Sequence, residues 1–280
     1  MTSVFNKILI PTDFSDYSRK TIECGREFAD LGAEEIVLLH IGLYDPFILS
    51  LARMSVDEYV EKIKEKAENE LKELAGIVEE KGLKVRTIFL ATYTDPAEEI
   101  VRISEEEGVD LILIGSKGHG WLKAKLIGGT SESVARLSKV PVLITKFQVE
   151  EKDGEKYCRL TFERLLDRVL FTFDKPEISE KALKILEEFS RVGKVFLVHV
   201  VEKRNESEIE EEIREYGDFF DGIANAEWKV LWGNPVNEIL NYARETKSSL
   251  IVVGKKERKL GKVADSLLRH SEIPIMILNK

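Results

Sequence analysis

Five short apolar runs punctuate the first half of the chain: "KILI" (7–10), "IVLLHI" (36–41), "VRTIFLA" (85–91), "VDLILIG" (109–115) and "VPVLIT" (140–145). They are continuous rather than alternating, the pattern of parallel strands covered by helices on both faces. Between them, apolar positions recur every three or four residues and predict helices starting near residues 15, 55, 96 and 130. The second helix is the longest, with Val60, Ile63, Ala67, Leu71, Leu74 and Val78 on one face. The third is announced by Asp95 and Pro96, a cap residue followed by proline, with Glu98 placed to close a capping box.

The second half repeats this order. "RVLFTFDKP" (168–176) answers the first run and "VFLVHVV" (195–201) the second. "WGNPVNEIL" (232–240) answers "YTDPAEEIV" (93–101), "SSLIVVG" (248–254) answers "VDLILIG", and "IPIMIL" (273–278) answers "VPVLIT". Asp13 and Asp174 take matching places, as do His40 and His199. Alternating strand and helix with right-handed crossovers predicts α/β architecture: two tandem, doubly wound, five-stranded parallel sheets of Rossmann-like order 3-2-1-4-5. The expected domains are residues 1–148 and 165–280, joined by a charged, weakly periodic connector over 149–164 with at most a little structure of its own. The fifth run of each half is an apolar sheet edge that needs cover, and pairing across a pseudo-twofold supplies it, giving an intramolecular pseudo-dimer. A homodimer of whole chains is a further expectation.

"GSKGHGWLKAKLIGGTSES" (115–133) follows the fourth run directly, where ligands bind in open α/β sheets. Gly128, Gly129, Thr130 and Ser131 open the last helix of the half, so free amides, the helix dipole and two hydroxyls favour an anion there. Asp13, at the end of the first strand, repels phosphate and suits the base or ribose end of a nucleotide. His119, Lys117 and Lys123 stand in the loop as further candidate donors. The P-loop form GxxxxGK[ST] is absent, and "GHGWLK" fails the dinucleotide fingerprint.

The spacing is glycine, two residues, glycine, nine residues, glycine: Gly115, Gly118 and Gly128. With "GSKGHG" and "PVLI", it resembles the ATP-binding branch of the universal stress protein family over nearly the full chain, as a tandem pair. Gly129 departs from that pattern, standing where the family has serine or threonine. The resemblance implies that Pro11, Thr12, Asp13 and the backbone of Ile41 line the adenosine side. It also implies phosphate contacts from Gly115, Ser116, Gly118, His119, Gly128, Gly129, Thr130 and Ser131. The ligand would be ATP, ADP or AMP, with Mg2+ left open as a companion of the phosphates. The second copy has lost the loop: Glu257 replaces the second glycine, three residues then lead to Gly261, and Lys262 follows it. Nucleotide binding is therefore expected in the first half alone.

Plainer roles stand beside these. Asp13 can cap the first helix, Gly120 can serve only to turn the chain, and His40 and His199 read as hydrogen-bonded core histidines. Trp121 fits a pocket cover or an interface equally well, and 206–222 reads as a solvated amphipathic helix. Cys24 and Cys158 have no metal-ligand or disulfide spacing, and Cys24 reads as a buried thiol.

Composition narrows the partners. A net charge of −9 argues against nucleic acid and anionic membranes. The chain lacks both a signal-peptide core and an apolar run long enough to span a bilayer, which places it in the cytoplasm. The leading expectation is a nucleotide-binding regulatory protein. A slow ATPase or self-phosphorylating enzyme is the alternative, for which only His119 and Ser131 stand as candidates. No catalytic residue or metal ligand is assigned. A third reading is a nucleotide-free interaction scaffold.

Overall fold

The computed structural model describes residues 3–116, 127–152, 155–159, 162–173, 179–201, 214, 217, 223–255 and 260–279. In the first half the strands are β1 (Lys7–Pro11), β2 (Glu35–Leu43), β3 (Lys84–Thr92), β4 (Leu111–Gly115) and β5 (Val142–Thr145). The second half supplies β8 (Arg168–Phe173), β9 (Lys194–Val201), β10 (Ala226–Trp232), β11 (Leu250–Lys255) and β12 (Ile275–Asn279). Each half takes the order third, second, first, fourth, fifth, all parallel. The two halves are not separate sheets, however. β5 and β12 pair antiparallel, through Ile144–Ile275, Leu143–Met276 and Val142–Ile277, and fuse them into one ten-stranded sheet. Both edges are apolar and carry unpaired backbone groups, so each satisfies the other.

Helices cover both faces. One layer holds α1 (Asp16–Gly25), α3 (Val56–Glu79) and α6 (Glu180–Val192), burying Tyr17, Ile22, Leu71, Leu74 and Phe189 against Ile8, Ile10, Leu113 and Val252. The opposite layer holds α4 (Pro96–Glu106), α5 (Gly129–Leu137), α7 (Pro235–Glu245) and α8 (Lys262–His270). Ile100, Val134, Ile239 and Leu267 pack there on Leu9, Ile112 and Ile251. Each fully buried aliphatic side chain contributes about 1.5–3 kcal/mol. Short polar residues fix the helix starts: Ser15, Ser55, Asp95, Ser179 and Asn234 each accept from a first-turn amide.

Two small elements complete the fold, the first being the connector's own structure. The connector's backbone forms an antiparallel ribbon, β6 (Gln148–Lys152) with β7 (Glu155–Arg159). A short helix, α2 (Pro46–Leu51), capped by Asp45, precedes α3.

The halves are locked by contacts that repeat about the pseudo-twofold. Arg136 of α5 pairs with Asp265 of α8, and Arg269 of α8 with Glu132 of α5; each arginine also meets the acid one turn before it on its own helix. Glu27 accepts from the amides of Leu165 (2.7 Å) and Leu166 (3.2 Å), just ahead of β8. Glu188 accepts from the Val4 amide (2.7 Å) and the Ser3 hydroxyl (3.2 Å), just ahead of β1. Glu27–Phe28 and Glu188–Phe189 are corresponding residue pairs, so each half clasps the entry of the other by the same device. Phe5 completes it, with its ring 5.5 Å from Phe28 and 5.8 Å from Phe189.

Candidate functional site

Strand order reverses between β1 and β4, which pair directly, so their C-terminal ends frame a crevice. On the β1 side, Pro11 leads to Thr12, whose side chain is buried. The Thr12 hydroxyl meets Ser18 Oγ at 3.0 Å and accepts from the Phe14 amide at 3.1 Å. Asp13 is half-buried, and its Oδ1 accepts from the Ser15 amide (3.1 Å) and hydroxyl (2.5 Å). The carboxylate is thereby held at the strand end, while Ser15 itself caps α1 by accepting from Ser18 N.

Phe14, between them, sits at φ 64°, left-handed backbone that a phenylalanine rarely adopts. Its ring stacks on His40, centroids 4.1 Å apart. His40 reaches the Thr12 carbonyl through Nδ1 at 2.8 Å; a carbonyl only accepts, so Nδ1 carries the proton. His199 does the same to the Phe173 carbonyl at 2.9 Å. Both histidines are hydrogen-bonded as expected, though half-buried at the sheet's rim rather than in its core. Ile41 lies beside His40 on β2, half-exposed.

The β4 side is built by close packing. A Cβ on Gly115 would stand 2.9 Å from the Tyr17 ring and 3.2 Å from Thr21 Oγ1, so α1 approaches the strand as closely as it does only because residue 115 is glycine. Tyr17 Oη meets the Ser116 hydroxyl at 2.6 Å and accepts from the Phe147 amide at 2.9 Å. The Ser116 carbonyl accepts from the Gly128 amide at 2.7 Å, which brings both ends of the intervening segment together.

α5 begins there with Gly128 as its cap residue, and no side chain among the described residues caps this end. The first-turn amides thus have no intrahelical acceptors, and among the described residues nothing stands within 4 Å of a Cβ at Gly129. Thr130 is exposed. Ser131 is buried, its hydroxyl donating to the Gly115 carbonyl at 2.5 Å. The two hydroxyls of the "GTS" start therefore divide: Ser131 closes the crevice floor, and Thr130 faces outward.

Pro11, Thr12, Asp13, Ile41, Gly115, Ser116, Gly128, Gly129, Thr130 and Ser131 are brought to this one end of the sheet. Gly118, His119, Gly120, Trp121, Lys117 and Lys123 lie outside the described residues, as do Asp174, Glu257 and nearly all of 206–222. Among the described residues no group of three or more His, Cys, Asp or Glu side chains converges as a metal site. None of the described helices is long and apolar enough to cross a membrane. Cys24 is buried, and burial pushes its thiol far above the ordinary value.

The corresponding crevice of the second half, between β8 and β11, ends differently. Lys255 occupies the place of Ser116 and is 1% exposed. Its ammonium donates to the carbonyls of Ala135 (3.3 Å), Arg136 (2.6 Å) and Ser138 (3.2 Å), capping the C-terminus of α5 across the interface. Burial, and secondly the charge of Arg136, lowers its pKa. The C-terminus of α8 is capped reciprocally, but by Lys146, which follows β5 and donates to Leu268 and Ser271 carbonyls at 2.7 Å each.

A family model described as the universal stress protein family matches residues 5–146 and again 166–279. The chain belongs to the universal stress protein family, in tandem form. Universal stress protein MJ0577 of Methanocaldococcus jannaschii is 38% identical over 160 residues, covering 52% of this chain and 98% of that protein. Universal stress protein YxiE of Bacillus subtilis is 31% identical, covering 51% of this chain and all of that one. Each of these relatives is thus the size of one half. A universal stress protein from Archaeoglobus fulgidus, solved by crystallography, matches the whole: 28% identity, 99% of this chain, 97% of that chain, TM-score 0.74.

Proposed function

We propose that the N-terminal half of this universal stress protein binds one adenine nucleotide (ATP, ADP or AMP), and that the C-terminal half binds none. Occupancy would favour one arrangement of the chain over another, making it a regulatory module of a stress response. The observation that carries this reading is the unlike fate of two corresponding positions. Ser116 leaves the end of β4 small, beside a start of α5 that no side chain among the described residues caps, whereas Lys255 stands in the equivalent place with its ammonium committed to the opposite half.

The donor set fits the ligand. Main-chain amides of Gly129 and Thr130 suit phosphate oxygens, and the absence of a Cβ at Gly129 lets them approach. Asp13, held through Ser15, accepts from ribose hydroxyls or the adenine amino group. Ile41 and Pro11 offer apolar contact to the base. Mg2+ would ride on the phosphates. We assign a binding role; His119, the imidazole that a catalytic reading would need, lies outside the described residues.

The test is the ligand itself. The purified chain, extracted with acid, should release adenine nucleotide, or bind it when titrated by calorimetry. Absence of binding at millimolar ATP, ADP and AMP sinks the reading and leaves a scaffold. Stoichiometric turnover of ATP to ADP replaces it with an enzyme.

A further inference from the structure

Exposed large apolar side chains are concentrated in one sector of the molecule. Leu43, Phe47, Ile48, Leu51 and Tyr93 are each more than half exposed, Phe47 and Leu51 by 71% and 70%. Val56 adjoins them, and among the described residues Leu137 is the one other exposed large hydrophobic. The sector is continuous. β2 ends at Leu43 opposite Thr92 of β3, the Tyr44 amide donates to the Thr92 carbonyl, and the Tyr44 and Tyr93 rings meet at 5.9 Å. α2 follows at once, anchored inward by buried Leu49 while Phe47, Ile48 and Leu51 face solvent. In a chain with 33% charged residues, "PFILSLA" (46–52) carries no charge.

Helix formation alone does not require this. Asp45 already caps α2 and Leu49 already fastens it, and three exposed apolar residues on a six-residue helix lose hydration free energy unless something covers them. Five side chains at these exposures present on the order of 500 Å² of apolar surface. Placed against an identical patch, they bury on the order of 1,000 Å², the threshold for a specific interface before any rim contributes. A self-matching apolar patch is also what a two-fold contact between identical chains needs. The rim carries both signs, Arg53 beside Asp45, Asp57 and Glu58, and the uncharged centre adds no local repulsion to that between two chains of net charge −9.

We infer that the α2 sector is a homodimerisation surface, through which two tandem chains associate about a true two-fold. This contact is separate from the intramolecular β5–β12 seam and does not depend on the nucleotide reading. Association is driven by apolar burial and opposed by net charge, so added salt strengthens it by screening.

Sedimentation velocity of the full chain tests this at rising protein concentration. The native chain should dimerise in the micromolar range, more tightly at high salt. Phe47→Glu and Ile48→Glu, each checked for native circular dichroism and melting temperature, should each weaken dimerisation at least tenfold. Exposed positions tolerate both changes, and either folded variant suffices. A native chain that stays monomeric overturns the inference and assigns the patch to another partner. So does a dimer that survives both variants or is loosened by salt.

Discussion

The two strand-four ends, at Ser116 and at Lys255, begin from the same repeat and finish with opposite roles. Both halves must satisfy the carbonyls at the end of the helix that faces them across the seam, α8 for the first and α5 for the second. In the second half the lysine that does so stands at the end of strand four and reaches across the seam. In the first half it stands one strand over, at Lys146. Asn279, the counterpart of Lys146, reaches the Ser138 carbonyl only at 3.4 Å. The lesson is that the same duty at the seam falls to different strand ends in the two halves, so duplication of the fold does not duplicate the contacts that hold it together.

Lys255→Ser breaks this contrast most severely. It copies the first half's residue, removes the ammonium shared by three carbonyls and leaves a cavity. Unfolding free energy should fall by about 2–4 kcal/mol, read by denaturant melts. An unchanged midpoint would mean that the ammonium contributes nothing to the seam.

The clasps test the symmetry that remains. Glu27→Ala and Glu188→Ala each remove an acceptor from a buried amide, and each should cost about 1–3 kcal/mol. A large effect from one and none from the other would show that the matching geometry hides unequal halves.

Gly129→Glu sharpens the contrast without touching stability. Among the described residues the added Cβ meets nothing within 4 Å, and an acid in the first turn suits the helix dipole. The carboxylate competes with phosphate, however, so nucleotide affinity should fall at least tenfold, roughly 1.4 kcal/mol, with an unchanged melting temperature.

The smallest effect is expected from Glu27→Gln. Burial raises the Glu27 pKa, against the pull of the Leu165 and Leu166 amides. The folded chain therefore holds this proton more tightly than the unfolded chain. Its contribution to stability is fullest below the ordinary glutamate pKa and is lost as pH rises through the folded value. Glutamine keeps one acceptor and removes the titration. The variant should flatten the pH dependence in the weakly acidic range and change neutral stability by less than about 1 kcal/mol.

Much of this was legible in the residues. Apolar runs marked nine of the ten strands of the large sheet, all but the half-exposed β10, Asp95–Pro96 and Asn234–Pro235 marked helix starts within a residue, and two apolar edges implied that β5 and β12 would meet. Gly115, Gly128 and Gly129 pointed to the crevice. What was not legible is where side chains go once the halves are packed. Lys255 carries no signal in the sequence, and only the fold shows it capping a helix more than a hundred residues away. Ser131 reads as a ligand donor, yet its nearest acceptor is the Gly115 carbonyl. Gly115 itself makes room for Tyr17 as well as for any ligand. The clasp left a trace, the repeated "EF" of Glu27–Phe28 and Glu188–Phe189, but nothing local says what a glutamate will accept. α2 is too short for periodicity, and the charge of the connector hid its ribbon despite the "DG" at 153–154.

The central claim, one nucleotide held by one half, is tested most directly by photolabelling the folded chain with 8-azido-ATP and mapping the modified peptides. Label displaceable by ATP and confined to peptides from residues 1–148 is expected. Label of equal yield in peptides from residues 165–280, or none in either half, would contradict it.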